Sequence, residues 1–440
     1  MKTKIIRELE EGQGIIDWSV RTVATHQHQL YFVPDGIESQ RVVESEHYEV
    51  DILKQVQDEQ GQPGCGLGNA ALLAGDDIGA ALDEAQTRAE MVHNPPYRFP
   101  DPGQIPDVPL VDPALTSQPE EKMKALHRTL KDQVAQVSQE RNSQVRMTSA
   151  EFFVDQVRTG QINSRGLDAR QEETLLHIEY VLTAGQGLNK VESFVELTRR
   201  QLDVPDLQAH AGRHADYALD LLLARPPEEY HGPIVLQHQA LSEFINAFCL
   251  RLMSSAELKL GGISPWEIGS PVFQTNGRQD GQADPITIWA NRCLPYGVNS
   301  NCFDAEGLPA QRLPLVEAGK LVNFTANTQY AAYLSVPATG EFGNFELDSG
   351  STPAETLLSD DHVEVAAFSY FSPDVMSGDF ACEIRLGYIV EAGQRRPFKG
   401  GMLVGNWYTA MADIQLSQET DFYGDYQGPT TARVGELTVS

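Results

Sequence analysis

Seven of the chain's 25 prolines fall between Asn94 and Thr116, in the run NPPYRFPDPGQIPDVPLVDPALT. Each removes a backbone donor and fixes φ, so residues 94–116 cannot form a helix or a central strand. They are expected to cross as an extended linker from a β-rich beginning to a helix that opens at Ser117. There, Ser117 and Glu120 read as a capping box, and Pro119 sits in the first turn, where a missing N–H breaks no intrahelical bond.

Before the linker, alternating residues predict strands at Trp18–Ala24, Gln29–Val33, Gln40–Ser45 and Tyr48–Val56. Turns are predicted at Pro34-Asp35-Gly36 and from Gly61 to Gly68, and a helix over Asp77–Val92. After the linker, the helix runs to about Gln139. Two strands follow, Val145–Val157 and Glu172–Thr183, joined by the turn-rich stretch Thr159–Leu167. A helix over Asp206–Leu223 ends at Arg225-Pro226-Pro227. With 440 residues the chain is too long for one typical core. The boundary is placed there, giving domains 1–225 and 226–440. Beyond one helix at Gln239–Leu252, the second domain reads as short strands. The fold class is α+β, with an N-terminal mixed α/β sheet domain and a strand-rich C-terminal domain.

The chain carries 33 basic against 62 acidic residues, a formal net charge of −29. Such a surface repels phosphate backbones and anionic lipid, which argues against nucleic-acid and membrane partners. No apolar run is long enough to span a bilayer, and the start, MKTKIIRELEEG, lacks the apolar core of a signal peptide. Five cysteines, Cys65, Cys249, Cys293, Cys302 and Cys382, make no disulfide framework. The reading is a cytoplasmic protein with reduced thiols.

Generic catalytic motifs fail on inspection. His210 and His214, at i and i+4 on a predicted helix, share a face as a metal pair would, but Ala211 stands where a zincin carries glutamate. They read as helix-surface histidines. His26 and His28 share one side of a strand, read as an exposed edge. Cys293 and Cys302 read as buried small hydrophobes. Gly64-Cys65-Gly66-Leu67-Gly68 lacks the third glycine and feeding strand of a dinucleotide fingerprint and reads as a flexible turn. Asn323-Phe324-Thr325 is a sequon that a cytoplasmic chain would not have glycosylated.

Four segments resemble the TldD/PmbA family (PmbA is also called TldE) of gyrase modulators and peptide-maturation proteases. They are Asn163-Ser164-Arg165-Gly166-Leu167; Tyr230-His231-Gly232-Pro233-Ile234-Val235-Leu236 with its following helix; Phe303-Asp304-Ala305-Glu306-Gly307-Leu308-Pro309 leading to Pro314–Leu321; and Ser377-Gly378-Asp379-Phe380 with Gly387–Gly393, Pro397–Gly401 and Gly405-Asn406. In the TldD branch, the resemblance implies a helix bearing H-E-x-x-x-H, whose histidines bind zinc with a later cysteine while the glutamate acts as base. Laid on that segment from Gly232, this sequence has Asn246 and Arg251 at the histidines and Ala247 at the glutamate. No cysteine follows Cys382. The resemblance is therefore to the PmbA/TldE branch, which lacks the zinc motif.

It implies a non-catalytic subunit of a TldD–TldE zinc metallopeptidase that processes or degrades unfolded peptides. No cofactor is expected on this chain, and zinc on a TldD-like partner. It also implies a dimer, with that subunit or with itself, enclosing a cavity in which an extended peptide adds to a sheet edge. Two rivals are a self-standing hydrolase with a relocated metal site, using His210, His214 and His231, and a homodimeric peptide-binding protein.

Overall fold

The structure, a computed structural model, describes residues 1–246, 248–273 and 283–440, apart from the side chains of Phe248 and Glu436. It is an α+β fold. The N-terminal half forms one antiparallel six-stranded sheet. In spatial order its strands are Pro63–Leu73, Gly36–Gln57, Ile15–Val33, Val145–Asn163, Asp168–Gln186 and Asn189–Arg199. Even-numbered residues such as Val20, Leu30 and Phe152 are buried on one face. Helices Lys2–Glu11 and Ile78–Glu90 cover one end of that face, and Pro119–Glu140 and Val204–Leu223 the other.

Residues 95–112 carry no helix or strand, but Pro113–Thr116 forms one helical turn capped by Asp112. The linker is pinned to the sheet: Asp17 Oδ2 accepts from Phe99 N (3.1 Å) and Asn163 Nδ2 donates to Pro100 O (2.9 Å). Asn163 also accepts from the backbone N–H groups of Arg165 and Leu167, each at 3.0 Å, closing the turn between two strands.

Several expectations fail for identifiable reasons. Ser117 does not cap the long helix. It ends the preceding helical turn, and Gln118, left-handed at φ 53°, occupies the cap without a side-chain bond. The glycines at 64–68 lie inside a strand. A Cβ on Gly66 would stand 1.7 Å from Ala89 O, and one on Gly68 1.9 Å from Ala85 O, so these glycines let helix Ile78–Glu90 lie on the strand. The strand with His26 and His28 is central, and His28 Nδ1 reaches Glu120 at 3.0 Å. The turn expected at Thr159–Leu167 shrinks to residues 164–167. Helix Lys2–Glu11 and strand Asn189–Arg199 went unforeseen.

Among the described residues, the C-terminal half holds two sheets. One runs in the order Lys320–Leu321, Arg312–Glu317, Ile288–Asn291, Asn344–Leu347, Tyr426–Pro429, Thr420–Tyr423. The other runs His362–Phe368, Tyr230–Gln237, Thr431–Val439, Met402–Asn406, Asp379–Glu391, Gln394–Phe398, with Gln415–Leu416 beside Thr431–Val439. It closes on itself, because His362–Phe368 also pairs with Asp379–Glu391. One apolar core fills the space between the sheets. Cys302 is buried and Cys293 packs beside it.

Arg200 ties the halves together. It is 2% exposed, pairs with Glu173 at 2.5 Å, and donates to the carbonyls of Gly297 (3.0 Å), Val298 (2.7 Å) and Ser300 (3.1 Å). No described helix is long and apolar enough to cross a membrane.

Candidate functional site: a cleft around Arg251

A cleft of about 870 Å³ opens between the two halves. One wall is Ser193–Arg199, from the terminal strand of the N-terminal sheet. The facing wall includes the helix that follows strand Tyr230–Gln237. This helix is not continuous. It runs His238–Ile245, and a second runs Phe248–Met253. Its entry is sharp, since His238 takes φ 52° at the strand–helix junction.

Asn246, which caps the end of the first helix, and Arg251, within the second, converge. Arg251 Nε donates to Asn246 Oδ1 (2.8 Å), Nη2 to Asp425 Oδ2 (2.7 Å) and Nη1 to Gly343 O (3.2 Å). The guanidinium lies over the Phe342 ring, 4.4 Å from its centre. Asp425 accepts further bonds from Asn246 Nδ2 (2.6 Å) and Asn299 Nδ2 (2.8 Å). Burial pulls the Arg251 pKa down from its ordinary value, and Asp425 opposes that pull. Ala247 lies outside the described residues.

This donor set does not fit zinc. A metal needs converging lone pairs from thiolate, imidazole or carboxylate. Here a fixed cation already uses the carboxylate, and the Asn246 oxygen is engaged by Nε.

His210 and His214 line the same cleft. His210 is buried rather than on the surface, its ring 4.3 Å from that of His214, and Tyr180 OH lies 3.4 Å from its Nδ1. Burial drives the His210 pKa well below 6.5 and holds that of His214 at about 3. His238, lowered to about 4 by burial, sets Nδ1 2.5 Å from the Tyr423 hydroxyl, which donates to Asp421. Burial raises the Glu243 carboxyl, which accepts from Gln239 at 2.8 Å.

His231 is not among this group. It is exposed near the start of strand Tyr230–Gln237, with Nδ1 3.1 Å from Thr438 Oγ1. The three histidines His210, His214 and His231 are thus not brought together. Among the described residues, one trio has ligand atoms within 4.8 Å of one another: His177, Glu179 and Glu196. His177 Nε2 lies 2.9 Å from Glu179 and 3.8 Å from Glu196, and its Nδ1 meets Thr198 Oγ1 at 2.9 Å.

Sequence reasoning missed Asp425, Asn299 and the cleft-lining strand. The strand had a signal, the alternation of buried Ser193, Val195 and Leu197. Asp425 sits in a tight turn between two four-residue strands and had none.

Residues 228–440 match the family model for the PmbA/TldA metallopeptidase C-terminal domain. Among curated proteins, an uncharacterized protein of Methanocaldococcus jannaschii is 23% identical over 290 residues, 63% of this chain. The match spans 65% of that relative's length. A crystal structure from Thermotoga maritima, of a candidate modulator of a DNA gyrase, superposes with a TM-score of 0.81 at 17% identity, covering 100% of this chain and 99% of that one. TldE from Thermococcus kodakarensis gives a TM-score of 0.79 at 17% identity, with 100% and 99% covered. These structures share the fold of the whole chain, and residues 228–440 match the C-terminal domain of the PmbA/TldA metallopeptidases.

Proposed function

We propose that this chain is a TldE-like, non-catalytic subunit that helps a TldD-type zinc metallopeptidase process or degrade unfolded peptides. The observation that carries this reading is the Asn246–Arg251–Asp425 network. A guanidinium ion-paired to a carboxylate stands where the family resemblance puts metal ligands. Such a site can hold a peptide by hydrogen bonds but cannot generate a metal-bound hydroxide. The cleft suits extended peptides because its wall is a terminal strand, and main-chain pairing to a strand tolerates many sequences. Zinc then belongs to the partner subunit. A cytoplasmic setting agrees with five free thiols.

The test is to purify the chain alone, a partner carrying H-E-x-x-x-H alone, and both together. Zinc content and cleavage of an unfolded peptide are then measured for each. The expected result is less than stoichiometric zinc on this chain and cleavage that requires the partner. About one tightly held zinc per chain, with cleavage by this chain alone, would overturn it. That outcome would favour the relocated-site reading, for which His177, Glu179 and Glu196 are the ligands the geometry offers.

A further inference from the structure

Arg251 borders two cavities. Besides the cleft of about 870 Å³, a second of about 410 Å³ shares part of its wall, with Arg251, Val298 and Asn299 lining both. The guanidinium is therefore the waist of a longer groove. It is also rigidly presented: three of its N–H groups are bonded to Asn246, Gly343 and Asp425, and its face rests on Phe342. A guanidinium has five N–H donors. One on Nη1 and one on Nη2 remain, on a side chain that is 15% exposed.

The charge at this waist is already balanced. Asp425 lies 2.7 Å from Nη2 and takes two more hydrogen bonds from Asn246 and Asn299. A second carboxylate brought here would meet a neutralised cation and an adjacent anion. A neutral carbonyl oxygen meets neither problem, and it accepts two N–H bonds from one fork.

We propose that Arg251 binds a main-chain carbonyl oxygen in the interior of an extended peptide that runs through both cavities. This rests on the reading of the cleft as a peptide site. It adds the anchoring residue and the part of the peptide recognised, an internal amide rather than a free C-terminus. Arg251 is thus a binding residue that holds a peptide bond by hydrogen bonding without activating water against it.

The probe is a fluorescein-labelled extended peptide of alternating valine and threonine, N-acetylated and C-amidated, measured by anisotropy against the purified full chain. Wild type is expected to bind it, and to bind the version with a free C-terminus no more tightly. Arg251→Lys, which keeps the charge beside Asp425 but loses the fork, is expected to weaken binding about tenfold or more, the loss of roughly one charge-assisted pair. Arg251→Met is expected to weaken it further, with folding followed by circular dichroism, and the lysine variant carries the test if the methionine variant does not fold. Replacing single amides by thioamides should reveal one internal position whose penalty in wild type vanishes in Arg251→Lys, which a merely structural role would not produce. Unchanged binding in folded Arg251→Lys, or binding only with a free C-terminus, overturns the proposal while leaving the peptide site standing. No binding of any peptide by wild type overturns both.

Discussion

In the N-terminal sheet the four inner strands are 22, 19, 19 and 19 residues long, and most neighbours in space are neighbours in sequence. In the C-terminal half strands run from 2 to 13 residues, and Tyr230–Gln237 finds its partner at Thr431–Val439. The first half is ordered by a repeated pattern, apolar residues on every second position against a layer of helices. The second is ordered by single polar side chains that bind loops from several directions. Arg292, 1% exposed, donates to the carbonyls of Leu308, Pro309 and Thr339 and lies 3.6 Å from Asp304. Asn344, fully buried, donates to Asn291 O and Ser300 Oγ and accepts from Asn299 N. A pattern tolerates the loss of one member, whereas a hub does not. The cleft lies where the two kinds of order meet, with a patterned strand on one side and a side-chain network on the other.

The sharpest break of this contrast is Arg292→Met. It removes the cation beside Asp304 and one donor from each of three carbonyls, and is expected to destabilise the C-terminal half by about 3–5 kcal/mol, read as a fall in the urea midpoint. A loss below about 1 kcal/mol would place this half under the same rule as the sheet. Next comes the one point where the patterned half is intolerant. Gly66→Val drives a side chain into Ala89 O, and helix Ile78–Glu90 must lift; about 3 kcal/mol is expected, at the upper end of overpacking, against about 1 kcal/mol for the pattern change Ile178→Val.

A smaller effect depends on pH. Folding lowers the pKa of His210 and His214, so below the ordinary value of 6.5 the unfolded chain binds protons that the folded chain does not. Stability is unaffected by them above about pH 6.5 and declines as pH falls below it, for His214 down to about 3, by up to about 1.4 kcal/mol per pH unit for each histidine that titrates only when unfolded. The double variant His210→Gln/His214→Gln should show a flatter urea midpoint between pH 6.5 and about 5 than wild type. Parallel curves would show that neither imidazole titrates differently on folding. The smallest effect is Arg158→Ala. Its pair with Glu172 at 3.1 Å joins side chains 77% and 65% exposed, so less than about 0.5 kcal/mol is expected by thermal unfolding.

The same division governs what a sequence reader can see. Alternation at Trp18–Ala24 and Tyr48–Val56, and the prolines from Pro95 to Pro109, are local signals, and the strands and extended chain are there, whereas Pro113 opens a helical turn. Family-like residues 163–167 form the turn that Asn163 closes. The Gly64–Gly68 stretch was misread because its glycines answer to a helix some twenty residues on, not to their own backbone. Ser117 was misread because a competing helical turn ends on it. The meeting of Arg251 with Asp425 lay beyond local reading, since nothing within a few residues of either predicts a partner 174 positions away.

Strand Thr431–Val439 sits inside its sheet, between Tyr230–Gln237 and Met402–Asn406. On the ribosome, strand 230–237 therefore emerges long before the neighbour that covers its flank. At synthesis rates of about 5–20 residues per second, the wait is roughly 10–40 s. Throughout it the N-terminal sheet has all its strands available and can close, while the other half presents an unpaired β edge and an unfilled core. A nascent chain of this design is asymmetric in its need for protection. Chaperone dependence should begin once strand 230–237 clears the exit tunnel and end with release of residues 431–439.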